Sequence, residues 1–179
     1  MKTLILTMLA AAAAAVASPA AAQSTGKTWD DTFMKDAAAD GIAEIELAQL
    51  AVEKATRPEV KSYAQMLVDD HTKANEELKS LATQKNVTLP SEPKAAHKAT
   101  KDRLSKLSGS SFDHAYMNAM VTDHQKAVAL FSRESNSGSD PDAKAWAAKT
   151  LPTLQDHEKK AKSLASGSGG ARSSSPHHH

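Results

Sequence analysis

The sequence predicts an all-α protein, four long helices arranged as two antiparallel hairpins with a long crossover between them. Three observations predict it. Strand patterns are nearly absent from the 179 residues, helix-start punctuation occurs four times, and the connections between those starts run short, long, short.

Each element has its own justification. Thr28 with Asp31 reads as a capping pair opening a first helix, over about 29–55. Thr56 with Glu59, and Pro58 between them, opens a second over about 58–85. The stretch "KNVTLPSEPKAAHKATKDRLSKLSGS" is too long for a turn and has a short helical pattern of its own from Glu92 to Leu107. Ser110 with Asp113 opens a third long helix over about 111–135, and Asp140 followed by Pro141 opens a fourth over about 141–165. Pro152 is expected to kink or break that last helix. The connections "TRP" and "NSGSD" are short enough to force antiparallel hairpins. The long middle segment then serves as a crossover that resets the direction of the second hairpin, a ferritin-like four-helix bundle.

The two ends do not belong to the bundle. Residues 1–22 combine one early lysine, a short apolar run and small residues at Ala20 and Ala22, the pattern of a secretory signal peptide cleaved after Ala22. Residues 23–27 are then a mature N-terminal extension, 28–165 the bundle, and 166–179 a Gly/Ser-rich disordered tail ending in three histidines. Export to a periplasm, soluble and without a transmembrane segment, is the expected location. The chain has no cysteine, so disulfides, a lipid-bearing cysteine and thiolate metal sites are excluded, and any metal must use His, Asp, Glu or Met. Lys and Arg number 22 against 21 Asp and Glu, a balance with no attraction for nucleic acid or an anionic membrane.

The chemistry lies in the histidines. In "YAQMLVDDHTKANEEL" the apolar seam Val60, Ala64, Leu67, His71, Ala74, Leu78, Leu81 recurs every three or four residues, with His71 in its middle. His124 lies on the stripe of Tyr116, Met120, Ala127, Phe131 and Glu134, and His157 on that of Thr150, Leu154, Ala161 and Leu164. A faint repeat, "DHTKA", "DHQKA" and "DHEKKA", marks all three positions. One inward histidine is most simply a hydrogen-bonded core residue. Three on three helices share their unmet nitrogens more economically with a metal ion. On the first helix Glu44 sits at the edge of the apolar arc centred on Gly41, Ile45, Ala48 and Val52, while Glu46 and Glu53 face away. Its height along the hairpin matches that of His71 to about 3 Å. His157 stands several residues further from its turn than His124, the weakest geometric link. The predicted ligand set is therefore Glu44, His71, His124 and His157, with Met120, one turn from His124, as a soft alternative that would favour copper. Glu134 is about 15 Å from His124 along the helix and cannot share the ion. His114 and His97 read as solvated surface residues.

Four segments, "AEIELAQLA", "VDDHTKANEEL", "LSGSSFDHAYMNAMVTDHQKAVALF" and "AKTLPTLQDH", together resemble a family of exported, ferritin-like bacterial proteins known as a domain of unknown function, number 4142. The resemblance spans nearly all of the bundle. It implies inward histidines matching His71, His124 and His157, and no activity.

Three functions follow in order of support. The first is storage, delivery or structural binding of one divalent transition-metal ion, zinc, iron or copper, with binding expected to fade below about pH 6 as imidazole protonates. The second is a metal-free interaction or envelope-stress module whose histidines are core hydrogen-bonders. An enzyme ranks third: the Glu-x-x-His pattern of di-iron oxidases is missing, because Val68, Val121 and Leu154 stand three residues before the histidines.

Overall fold

A computed structural model describes residues 20–167, with side chains from Thr28 onward. Most of residues 1–22, where a signal peptide is expected, and of the Gly/Ser-rich tail lies outside these residues. Five helices follow in order: α1 (Ala20–Lys54), α2 (Pro58–Lys85), α3 (Ala95–Ser105), α4 (Gly109–Ser137) and α5 (Pro141–Ser166). No strand occurs among the described residues. α1 packs on α2 and α4 on α5, while α1 with α4 and α2 with α5 join the pairs; short α3 lies against α1 and α4.

Most boundaries fall within a few residues of expectation, and the departures have local causes. α1 starts earlier than Thr28, because the preceding Ala20–Gln23 are good helix formers and nothing there stops the helix. α5 runs unbroken through Pro152, which is exposed, so the expected break does not occur. Asp140 caps α5 as anticipated, accepting from the backbone N–H groups of Asp142 and Ala143, both at 3.0 Å. α2 ends on Asn86 in the left-handed conformation (φ 57°), and the Val87 N–H reaches back to the Ala82 carbonyl at 2.9 Å.

Two expected caps act elsewhere. Thr56 does not cap α2; its hydroxyl donates to Asp113 Oδ2 at 2.6 Å, and the same carboxylate accepts the Thr56 N–H at 3.0 Å and the Arg57 N–H at 3.0 Å. Asp113, fully buried on α4, therefore caps the turn between α1 and α2 rather than its own helix. Asp30 on α1 returns the arrangement, accepting from the Ser139 and Asp140 N–H groups at 2.9 and 2.8 Å in the turn between α4 and α5. Each hairpin's turn is thus tied by a buried aspartate from the other hairpin. That bond fixes how the two pairs dock.

The core comes in two apolar clusters. One gathers Leu47, Val60, Tyr63, Leu67, Leu104, Phe112, Tyr116 and Met120; the other gathers Phe33, Met34, Leu78, Phe131, Trp146 and Leu154. Phe33, Phe131 and Trp146 meet edge-on or tilted, with ring centroids 5.1 to 5.9 Å apart. Along α2 the first cluster ends at Leu67 and the second begins at Leu78; along α4 the limits are Met120 and Phe131, along α5 Ala161 and Leu154. His71, His124 and His157 occupy the interval on every one of these helices. The core is interrupted at mid-height by a polar layer.

Candidate metal centre

His71, His124 and His157 converge. All three are buried, and one nitrogen of each lies within 4.8 Å of those of the other two. Their ring centroids are 5.3 to 5.7 Å apart. The offset in height between His124 and His157 does not keep them apart: α5 continues unbroken through Pro152 and their rings meet at 5.3 Å.

Each ring's second nitrogen decides which atom is free. His124 Nδ1 is 2.9 Å from the Met120 carbonyl, so this nitrogen carries the proton and Nε2 carries the lone pair. His157 Nε2 lies 2.9 Å from Asp70 Oδ2, which leaves Nδ1 as its lone-pair nitrogen. Both free nitrogens, together with His71 Nε2, are buried without a hydrogen-bond partner. Three unpartnered imidazole nitrogens in one spot are what a metal ion satisfies, and the bonds to Met120 and Asp70 hold two of the rings in the tautomer that coordination needs.

The electrostatics keep these rings neutral. Burial holds the His71 imidazole well below its ordinary pKa, with His124 and His157 adding to the effect. Burial and the neighbouring His157 bring His124 down to about 4. His157 is lowered by burial as well, against the opposing pull of Asp70. Protonation of these rings is thereby shifted to more acidic conditions than the pH of about 6 expected from ordinary imidazoles.

Glu44 is buried in the same cavity, a space of about 370 Å³ that also includes the three imidazoles. It stands outside the 4.8 Å grouping of the histidines. Its Oε2 has no partner, and burial followed by the charges of Asp123 and Asp40 raises its carboxyl well above the usual range. Met120 is fully buried in the first core cluster, and its observed role is to present its carbonyl to His124. Behind the centre, the Tyr63 hydroxyl donates to the His157 carbonyl at 3.3 Å, and the Tyr116 hydroxyl is buried without a partner.

His114 is exposed, as expected. His97 is not a freely solvated residue: its side chain is 16% exposed, lies between Asp40 and Asp123, and lines the cavity. The clue was in the crossover, where His97, Lys101 and Leu104 step by four and three and Leu104 is fully buried. Glu134 and Asp30 form a second buried acidic feature far from the centre, which the apolar stripe of α4 alone does not reveal.

A family described as "Domain of unknown function (DUF4142)" matches residues 14–164. No curated protein matches the chain. Among solved structures, a DUF305 fragment from Deinococcus radiodurans superposes with a TM-score of 0.69 at 14% identity, over 77% of this chain and 95% of that one. CopM in its Cu(I)-bound form gives 0.66 at 22% identity, over 79% of this chain and 98% of its own. CopM in its Cu(II)-bound form gives 0.66 at 21%, over 76% and 95%. At these identities the likeness is one of fold.

Proposed function

The chain belongs to the DUF4142 family, a domain of unknown function, and from that membership and the geometry above we propose that it holds a single transition-metal ion between His71, His124 and His157. The observation that carries the proposal is the set of three buried, unpartnered imidazole nitrogens, two of them held in register by bonds from their opposite nitrogens. Glu44, across the same cavity, is the fourth partner, its carboxyl giving up its proton as the ion's charge offsets its burial. Met120 enters through its carbonyl, and ligation by its sulfur is not required.

Copper is the favoured ion. Imidazole suits zinc, iron and copper alike, and the fold shared with CopM, whose structures hold Cu(I), Cu(II) or silver, weights the choice. The role that fits is storage or delivery from an exported bundle of ferritin-like topology. The leader-like N-terminus supports export, and no helix among the described residues is long and apolar enough to cross a membrane. A metal-free module would have to satisfy those three nitrogens with ordered water in the cavity.

The test uses the full chain with His177, His178 and His179 changed to Ala, so that the tail contributes no ligand. Isothermal titration with Ag(I), a redox-inert stand-in for Cu(I), is expected to give one ion per chain. His71→Ala abolishes that binding and His114→Ala preserves it. Equal responses from these two variants would overturn the proposal.

A further inference from the structure

The crossover is fastened at its two ends and loosely held between them. Val87 is buried in the second core cluster with Leu89 packed against it, and Leu104 is fully buried in the first with Leu107 beside it. No residue from Thr88 to Arg103 is buried. The middle of this strap nevertheless covers the metal centre. Lys94, the residue before α3, and Ala96 and His97 of its first turn line the cavity that includes His71, His124 and His157. Those three residues are 8%, 1% and 2% exposed, so an ion reaches them by passing the groups that wall the cavity.

What holds the first turn of α3 down is polar and weak. Lys94 Nζ lies 3.0 Å from both Asp36 and Asp40 of α1, with all three side chains 31% to 43% exposed. Pairs this exposed bias an equilibrium by about fivefold at most. His97 stands between α1 and α4 with its ring nitrogens 3.8 Å from Asp40 and 3.9 Å from Asp123, so it fills the gap without a hydrogen bond to either wall. Further along α3 the attachment is firmer. Lys101 Nζ reaches Glu46 at 2.9 Å, Lys54 Nζ reaches the Ser105 carbonyl at 2.6 Å, and Leu104 is anchored in the core. The first turn is thus the loose end of α3 and Leu104 its pivot. Between α2 and α5, by contrast, Asp70 is bonded to His157, and opening that side would disturb a ring of the centre itself.

We propose that the first turn of α3 is a lid on the metal centre, latched by Lys94 and plugged by His97, and that its lifting sets how fast the ion enters and leaves. This rests on the three-imidazole centre proposed above and adds its route. As the lid lifts about Leu104, the Lys94 ammonium withdraws from Asp36 and Asp40, and His97 leaves the gap before Asp123. The carboxylates so freed line the way to the imidazoles, and a passage walled by negative charge draws a cation inward. A lid of this kind changes rates and leaves affinity alone. Lifting admits and releases the ion alike, so both rate constants scale with the fraction of time spent open.

The experiment again uses the full chain with its three terminal histidines changed to Ala. Trp146 lines the same cavity, so Cu(II) in the centre quenches its fluorescence. Stopped-flow mixing with Cu(II) reads uptake, and mixing the loaded chain with saturating EDTA reads release as recovered emission. Lys94→Ala is expected to speed uptake and release alike by about two- to fivefold, and His97→Ala by at least as much, with Cu(II) affinity and Ag(I) stoichiometry unchanged. Loss of a positive charge alone would speed uptake but slow release, so the release rate separates a latch from a simple field effect. The chain has no cysteine, so Asp36→Cys combined with Lys94→Cys can be bridged selectively by a short bis-maleimide. The bridge pins the lid and should slow both rates by about tenfold or more. Rates indifferent to the bridge, or uptake slowed by His97→Ala as loss of a ligand would slow it, overturn the lid and leave the centre standing. A chain that takes up neither Cu(II) nor Ag(I) overturns the centre and the lid with it.

Discussion

At the scale of single residues, the aspartate that precedes each inward histidine has a different duty in each copy of the repeat. Asp70 accepts from His157, a residue of another copy; Asp123 faces His97; Asp156 is exposed. Asp70 is thus a positioning residue for the centre. Replacing it by Leu leaves His157 free to adopt the other tautomer, with its lone pair turned away from the other two rings. We expect Asp70→Leu to weaken Ag(I) by about ten- to a hundredfold, with Asp70→Asn, whose amide oxygen still accepts, retaining most of the affinity. Equal losses in the two would show that the hydrogen bond is not what matters. Glu134 offers a test of stability alone. It is fully buried, and burial with Asp30 nearby raises its carboxyl to about 7. Because the folded state holds this proton more tightly than the unfolded chain, its contribution is complete below about pH 4.5 and is lost as pH rises through 7. Glu134→Gln should therefore flatten the decline in melting temperature between about pH 5 and pH 7. An unchanged slope would mean that Glu134 does not take up a proton on folding.

At the scale of elements, the reciprocal capping of the two turns by Asp113 and Asp30 sets the docking of the hairpins. Truncating Asp113, itself fully buried, removes the acceptor of the Thr56 and Arg57 N–H groups in the part-buried turn. Hydrogen bonds to a charged group contribute about 1.5–3 kcal/mol each, so Asp113→Ala should cost at least about 3 kcal/mol in urea unfolding, with Asp30→Ala comparable. A cost under about 1 kcal/mol for both would remove the caps from the account of assembly. These long-range caps explain where the sequence was readable and where it was not. Helix starts are announced by side chains of the right type near Pro58 and Pro141, so the elements are legible. Which backbone group Asp113 finally serves depends on α4 lying beside the turn of α2, and one-dimensional spacing holds no record of that. The inward histidines were legible for the reason the helices were, since His71, His124 and His157 fall on periodic apolar seams. His97 was missed because its own stripe is short, and its neighbours Asp40 and Asp123 come from two other helices.

At the scale of the whole molecule, a polar layer between two apolar clusters places three unpartnered imidazole nitrogens at the centre of the fold, a cost that the proposed ion would offset. A ligand that binds only the folded state adds about 2.7 kcal/mol at a hundred times its dissociation constant. The pH range over which this increment survives distinguishes the buried centre from any surface histidine site. An exposed imidazole protonates near pH 6.5 and releases its metal there. In the folded chain His124 stays neutral down to about pH 4, and His71 and His157 are lowered in the same direction, so the proton competes poorly with the ion. The metal-free fold should itself lose stability as pH falls from 6.5 toward 4, because the unfolded chain protonates these imidazoles first. With the terminal histidines changed to Ala, Ag(I) should therefore raise the melting temperature at pH 5 by nearly as much as at pH 7, even as the metal-free baseline drops. Scanning calorimetry at the two values, with silver and without, reads both effects. An increment present at pH 7 and absent at pH 5 would place the bound ion on ordinary, solvent-exposed imidazoles instead of between the two halves of the core.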